Sequence, residues 1–325
     1  MKILKILTRP PRRARDTYFV ILLVGVLSFG FTAFAVEQAG QDIAVLKAGV
    51  GARPLGMGSA FTAIADNADA PYWNPAGLSQ VKISELTTMQ TKLSTDTDYY
   101  YVSYTRPFFK GALGVSWIQV GLGNILQTAS PEGWPNEVRT LGVFTYFSNA
   151  YFISYGADLV KDKLAFGLTF KYLTSDMSTI AEGKATGFSL TPGVLYRPIK
   201  ELSIGAKLDE VLNYQRWGTG TVEQAPAKLR LGLAYKIGSP VSGLWSTVLS
   251  ADISQILRYG YTPEFCLGAE YNFADSIFFR AGYSDSTMSA GAGFRVKHAE
   301  VNYAYVTQTA LSKENVHRIS LSGRW

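Results

Sequence analysis

Cysteine, histidine and charge are all scarce in this sequence. A single cysteine, Cys266, excludes an intrachain disulfide. Its neighbours alternate with apolar positions, so an inert sheet thiol is expected. The two histidines, His298 and His317, fall in a tight turn and near the start of the last strand, and their spacing pairs them neither with each other nor with Cys266 as metal ligands. No Gly-Lys-Ser/Thr phosphate loop and no Gly-x-Ser-x-Gly elbow is present. Gly49-x-Gly51 and Gly56-x-Gly58 precede no βαβ unit, so a dinucleotide loop is not supported. The expected class is non-enzymatic, without metal or cofactor; a wall lipase built from a serine, a histidine and an acid is the enzymatic alternative. After residue 35, no hydrophobic run is long enough to form a membrane helix.

Charged residues make up 17% of the chain, against about 25% in soluble domains. The formal charge of +6 invites a nucleic-acid reading, but most of it comes from Lys2, Lys5, Arg9, Arg12, Arg13 and Arg15, opposed only by Asp16. The remainder is close to neutral, so no nucleic-acid footprint survives. That basic leader, the apolar run from Tyr18 to Phe31 and the small-residue site Ala33-Phe34-Ala35 make the three parts of a secretory signal. Cleavage after Ala35 would leave Val36 first, and the alternative is a retained membrane helix. Arg12-Arg13 hints at twin-arginine export, but its flanks fit ordinary secretion better.

What the chain has in abundance is glycine, tyrosine and phenylalanine, in two settings. The first is a dense run from Gly49 to Leu78, rich in small residues, glycine and proline. Phe61, Ala63, Ile64 and Ala65 are expected to form one short apolar helix within it. Such a piece is too small to fold alone, which makes residues 36–81 a hatch or plug packed inside whatever the rest builds.

The second setting, residues 82–325, has period two. Leu164, Phe166, Leu168, Phe170 and Tyr172 share one face, against Ala165, Gly167, Thr169 and Lys171. Leu229 to Ile237 and Phe265 to Phe273 repeat the pattern, so these are strands with one greasy face and one small or polar face. Fourteen are expected, at 82–93, 98–108, 110–120, 149–159, 162–175, 185–197, 201–210, 226–237, 245–255, 262–272, 276–285, 288–297, 299–308 and 315–325. Even-to-odd links are short, while the long ones, 121–148 and 211–225, join odd to even strands. Short turns at one end, long loops at the other and an even strand number predict an all-β, fourteen-stranded antiparallel transmembrane barrel of a Gram-negative outer membrane, with a periplasmic N-terminus. Tyr99 to Tyr101, Tyr151, Tyr155, Tyr303 and Tyr305 fit an interfacial aromatic girdle. A soluble sandwich, with its apolar faces packed on each other, is the alternative.

The segments Leu46-Lys47-Ala48-Gly49-Val50-Gly51-Ala52-Arg53-Pro54-Leu55-Gly56-Met57-Gly58, Ala65-Asp66-Asn67-Ala68-Asp69-Ala70 and Tyr72-Trp73-Asn74-Pro75-Ala76-Gly77-Leu78 closely resemble the opening of PorV/PorQ-family outer-membrane proteins. That family is similar to the FadL-type fatty-acid transporters, whose hatch shares Asn74-Pro75-Ala76-Gly77. The alternating final strand ending in Trp325 resembles the signal by which the barrel assembly machinery recognises its clients.

The resemblance implies a hatch inside a fourteen-stranded barrel and two non-enzymatic roles. One is an accessory of protein export to the cell surface, as in type IX secretion, with exported proteins or a translocon as partners besides the outer-membrane lipid bilayer. The other is FadL-like passage of hydrophobic small molecules such as long-chain fatty acids. Within the hatch, Arg53, Asp66, Asn67, Asp69, Trp73, Asn74 and Pro75 are the candidate residues, with Trp73 and Asn74 expected to hold it closed. Buried hatch charges need partners, for which Lys171, Lys207, Arg230, Glu270, Arg280 and Arg295 are the lumen candidates; solvation in a wet interior is the alternative. In the long loops Trp134, Phe144, Tyr146, Tyr214 and Trp217 are contact candidates, unless they simply pack on one another. Gly121 and Gly123 are expected either to bend the third strand, opening the wall, or to end it.

Overall fold

The computed structural model describes residues 44–94, 97–130, 137–238, 244–258, 260–285, 287–307 and 315–325. The leader with Ala35, the first residues of the expected hatch and Trp134 lie outside them. Sixteen strands share one antiparallel sheet: β1 (Glu85–Ser94), β2 (Thr97–Phe108), β3 (Gly111–Ala129), β4 (Arg139–Val160), β5 (Leu164–Met177), β6 (Lys184–Tyr196), β7 (Leu202–Asp209), β8 (Val211–Trp217), β9 (Val222–Glu223), β10 (Lys228–Gly238), β11 (Trp245–Ile256), β12 (Glu264–Phe273), β13 (Ile277–Ser284), β14 (Thr287–Val296), β15 (Ala299–Val306) and β16 (Val316–Arg324).

Each strand pairs with the next in sequence except around β8 and β9, which add to β6 while β7 pairs directly with β10, and the first strand pairs with the last. Glu85 faces Arg324 and Gln90 faces Ile319 across the β1–β16 seam. At its foot, Ser84 and Trp325 exchange both backbone hydrogen bonds, at 3.1 and 3.0 Å. With β8 and β9 set aside, this is a closed barrel of fourteen strands. Closure leaves no sheet edge to face hydrocarbon, which offers no hydrogen-bond partner. Among the described residues no helix is long and apolar enough to cross a membrane.

The alternation in the sequence becomes the two faces of the wall. Phe166, Leu168, Phe170 and Tyr172 are exposed, while Ala165, Thr169 and Lys171 between them are buried. Exposed Leu231, Leu233, Tyr235, Phe265, Leu267 and Tyr271 continue the greasy exterior round the barrel. Tyr151, Tyr155 and Tyr303 belong to this outer face, but Tyr99 and Tyr101 are fully buried in the lumen. Their odd numbers put them in phase with Ser103 and Thr105, so the girdle expectation fails for these two.

Two stretches expected as loops are folded. β3 and β4 continue past the expected strand ends, pairing Ile125 with Phe144 and Ala129 with Arg139 beyond a register shift at Leu122/Ile125. Phe144 and Tyr146 therefore stand on β4, where each faces an aliphatic partner, Ile125 or Leu122. Tyr214 and Trp217 stand on β8, which pairs along the upper half of β6 after the chain turns through left-handed Glu210 (φ 60°) and Leu212 (φ 51°). Gly121 does not end β3; it stays paired with Asp98 of β2 and Phe147 of β4.

If the outer face meets lipid, Leu267→Arg should cost about 2–4 kcal/mol of unfolding free energy in phospholipid vesicles, the range for a cation placed mid-wall on a barrel. Denaturant titration measures it, and a loss well under 1 kcal/mol would mean that this face is not in hydrocarbon.

Candidate functional site

Residues 44–81 run through the lumen as α1 (Ala44–Lys47), α2 (Ala52–Gly56), α3 (Ala70–Trp73) and a 3-10 turn over Pro75–Gln80. The expected helix over Phe61, Ala63, Ile64 and Ala65 is absent. Ser59 (φ 64°) and Ala65 (φ 31°) interrupt right-handed winding on either side. The amides of Phe61 and Thr62 are drawn to the Asp252 carboxylate of β11, at 3.2 and 3.0 Å. That carboxylate ties the turn to the wall, while the left-handed residues on either side keep it from winding into a helix.

Where this segment meets the wall, its backbone lies directly on glycine. A Cβ on Gly167 would sit 2.2 Å from the Pro75 carbonyl carbon, and one on Gly193 would sit 2.2 Å from Asn74 Oδ1. On the far side, Gly268 leaves room for the Met57 carbonyl and Gly282 for the Gly58 amide, each closer than 3 Å to where a Cβ would be. Glycine is required at these positions because anything larger would displace the lumen backbone.

Charge holds the side next to β10–β16. Arg53 donates from Nε and Nη2 to Glu270 at 2.8 and 2.9 Å, and from Nη1 to Asp66 at 2.6 Å. Glu270 also accepts from Arg280 Nε at 2.6 Å, and Arg280 donates to Asn302 Oδ1 at 2.7 Å. Arg295 pairs with Glu300 at 2.7 Å, and its guanidinium lies 4.7 Å from the Phe278 ring centre. Removing one member of such a buried set strands the others, at about 3–5 kcal/mol.

Of the remaining lumen cations, Lys207 and Arg230 meet the inner segment on its other flank, while Lys171 pairs with wall acids. Lys207 donates to the Tyr72 carbonyl at 2.8 Å and pairs with Asp209 at 2.9 Å. Lys171 binds Glu210 and lies near Asp209 at 3.8 Å. Arg230 donates to the Ser59 carbonyl at 3.1 Å and stacks over Trp73 at 5.4 Å. The structure also assigns contacts to Asp252 and Arg318, which sequence reasoning missed. Arg318 Nη1 donates to the Ala48 carbonyl at 2.7 Å. Both stand on lumen-phase positions of their strands, the one signal that could have marked them.

Trp73 Nε1 donates to the Val50 carbonyl at 3.0 Å, and its ring packs edge-on against Tyr72 and Phe61. Asn74 bonds three ways: Nδ2 to the carbonyls of Thr62 at 2.8 Å and Val194 at 3.1 Å, and Oδ1 from the Ala76 amide at 3.1 Å. It caps the 3-10 turn that Pro75 opens. Asp69 accepts from Asn67 Nδ2 at 2.9 Å through one oxygen, while the other has no partner. Burial pushes its carboxyl up to about 6, against the opposing pull of Asn67.

The lumen wall also carries an apolar cluster. Under β1–β5, Leu93, Tyr99, Tyr101, Ile118, Val120, Phe152 and Leu173 lie in one cluster with Val45, Val50 and Trp73 of the inner segment, among buried hydroxyls and the charged Glu85 and Lys171. Leu93, Tyr99, Val120 and Val306 place this apolar sector near the long-loop ends of their strands. No group of acids, histidines and cysteine suited to a metal ion occurs among the described residues.

No protein-family model matches the sequence, and no curated protein matches it. Solved structures do. The Pseudomonas putida toluene transporter TodX superposes with a TM-score of 0.58 at 14% identity, over 85% of this chain and 99% of that one. The Ralstonia pickettii toluene transporter TbuX gives 0.57 at 14%, over 85% and 98%. A Pseudomonas aeruginosa FadL homologue gives 0.50 at 11%, over 82% and 95%. At this identity the likeness is one of fold: the chain shares the barrel of FadL-type outer-membrane channels. No PorV/PorQ protein is among these neighbours.

Two measurements follow from the geometry. Since folding into the buried site raises the Asp69 pKa from 3.8 to about 6, the seated state binds the proton more tightly than the solvated one, and seating should weaken as pH rises through that window. Hydrogen-exchange protection of residues 69–80, corrected for intrinsic rates, should fall between pH 4 and 7 in the wild type and stay flat in Asp69→Asn. Separately, Asn74→Ala removes three hydrogen bonds of about 1 kcal/mol each; exchange in residues 74–80 should rise at least tenfold, and unchanged protection would show that backbone packing alone seats the turn.

Proposed function

We propose that this chain is a passive outer-membrane channel for hydrophobic small molecules, with residues 44–81 serving as its hatch and residues 1–35 as a cleaved secretory leader. The observation that carries the reading is the apolar lumen sector under β1–β5. Large apolar side chains cluster there with the inner segment, beside buried hydroxyls and the ion-paired Glu85 and Lys171 of β1 and β5. Aromatic and aliphatic lining with a few fixed polar groups is the chemistry of a small apolar ligand site. Tyr99, whose hydroxyl has no partner, and Tyr101 place one polar tip each in that sector.

The superposition on TodX and TbuX supports this role by analogy of architecture, and fold alone does not transmit a substrate. The export-accessory reading expected first from residues 46–78 gains nothing from either source. Its contact candidates Phe144, Tyr146, Tyr214 and Trp217 lie on wall strands and are at least partly covered, so the surface it would use is smaller than the sequence suggests. Long-chain fatty acids and monoaromatic hydrocarbons are both compatible classes.

In reconstituted vesicles the purified full chain should admit labelled toluene or a long-chain fatty acid several-fold faster than protein-free vesicles, and should leave glucose excluded. Gentle extraction from the native membrane should bring apolar ligands with a lone barrel. Stoichiometric translocon subunits or exported proteins, with no hydrophobic flux, would overturn the channel reading in favour of export.

A further inference from the structure

The outward wall of β3, β4 and β5 is not uniformly bulky. Near the short-turn end, register sets Gly111, Ala157 and Phe166 side by side, so two adjacent outward positions carry a hydrogen or a methyl. The result is a groove of about 440 Å³ on the membrane face, lined by Leu113, Tyr155, Ala157, Leu159, Phe166 and Leu168. It is almost wholly apolar, so hydrocarbon is the occupant its chemistry fits.

Cations gather at the mouth of this groove. Arg106 of β2 stands directly opposite Leu113 in register and shares the outward phase of Val102 and Tyr104. Lys110 lies in the β2–β3 turn, and Lys161 and Lys163 lie in the β4–β5 turn. All four are exposed, and none of their side chains has a hydrogen-bond or ion-pair partner among the described residues. The nearby acid Asp158 is already engaged by Arg197 at 2.8 Å. Asp162, in the same turn, offsets one of the four charges. Beside them Phe109 projects from its turn, 89% exposed and left-handed at φ 48°, with its ring against Phe108 at 4.5 Å. A bare phenylalanine next to cations, at the rim of an apolar surface, belongs at a headgroup boundary.

From this charge complementarity we propose that the groove holds an acyl chain of an anionic glycerophospholipid from the leaflet at the short-turn end, its phosphate held by Arg106, Lys110, Lys161 and Lys163. Short turns of such barrels face the periplasm, which places the lipid in the inner leaflet. Basic clusters beside hydrocarbon-facing grooves select anionic headgroups in this way. The site is on the outer wall and is independent of what passes through the lumen.

The test uses the purified full chain in phosphatidylcholine vesicles containing trace spin-labelled phosphatidylglycerol or spin-labelled phosphatidylcholine. The motionally restricted component of the resonance spectrum should favour phosphatidylglycerol about fivefold or more for one site, consistent with several cations acting at the membrane surface. The combined substitution R106Q, K110Q, K161Q and K163Q should abolish the preference. A157W, which keeps every charge but fills the groove, should reduce restricted phosphatidylglycerol while heat-modifiable electrophoretic migration confirms an intact barrel. Equal restriction of the two lipids by the wild type, a preference that survives the fourfold charge removal, or an unaltered site in A157W would each overturn the proposal.

Discussion

Hydrocarbon offers no partner to a backbone amide, and the ladder between β1 and β16 is what removes the last open edge from this sheet. Everything else in the wall depends on that seam. Once the ends are joined at Ser84 and Trp325, the period-two pattern of each strand has to resolve into one face toward lipid and one toward the lumen. A slip by one residue would send Lys171 or Arg280 outward and bring Phe170 or Phe279 in. The register is held against such slips by the cost of placing charge in lipid.

Closing fourteen strands leaves an interior that side chains from the wall alone do not fill. The inner segment enters that space by two different physical means. On the β3–β6 side, contact is backbone on glycine, as where Pro75 lies over Gly167 and Asn74 over Gly193. On the β12–β16 side, Met57 and Gly58 again lie on glycine, at Gly268 and Gly282, and ionic contact is added through Arg53, Glu270 and Arg280. The glycine contacts tolerate almost no displacement, because close packing forbids a wider side chain. The ion pairs are costly to break singly, because the survivors stay buried and unpaired. Between them lies the apolar sector of Tyr99, Tyr101, Val120 and Phe152, covered by short apolar residues such as Val45 and Val50, where contacts are neither charged nor interlocked.

The Asn74-Pro75-Ala76-Gly77 core resembles the FadL hatch and the longer run over residues 46–78 resembles PorV/PorQ-family proteins; in the structure the motif seats the inner segment on wall glycines. Its residues report on seating rather than on cargo. The superpositions bear on the barrel fold alone. Outer-membrane architecture is common to the channel and export-accessory roles.

The sequence by itself determined the strands, their number and their faces, because each depends on a residue's parity and on turn chemistry within a few positions. Thus 162–175 reads as a strand with Lys171 inside, and the turn around Asp275 reads as a turn, without knowledge of any neighbour. It could not determine where the chain leaves right-handed winding or which wall group meets it there. Phe61, Ala63, Ile64 and Ala65 look helical locally, yet left-handed Ser59 and Ala65 interrupt the winding and Asp252 ties the amides of Phe61 and Thr62 to the wall. Loops 121–148 and 211–225 look irregular, yet partner strands extend through them. Tyr99 and Tyr101 look like girdle residues, yet they face the lumen. The pairing of Arg53 with Glu270, the three bonds of Asn74 and the basic rim beside the β3–β5 groove were decided only by the tertiary structure, because barrel closure brings together residues that no local spacing relates.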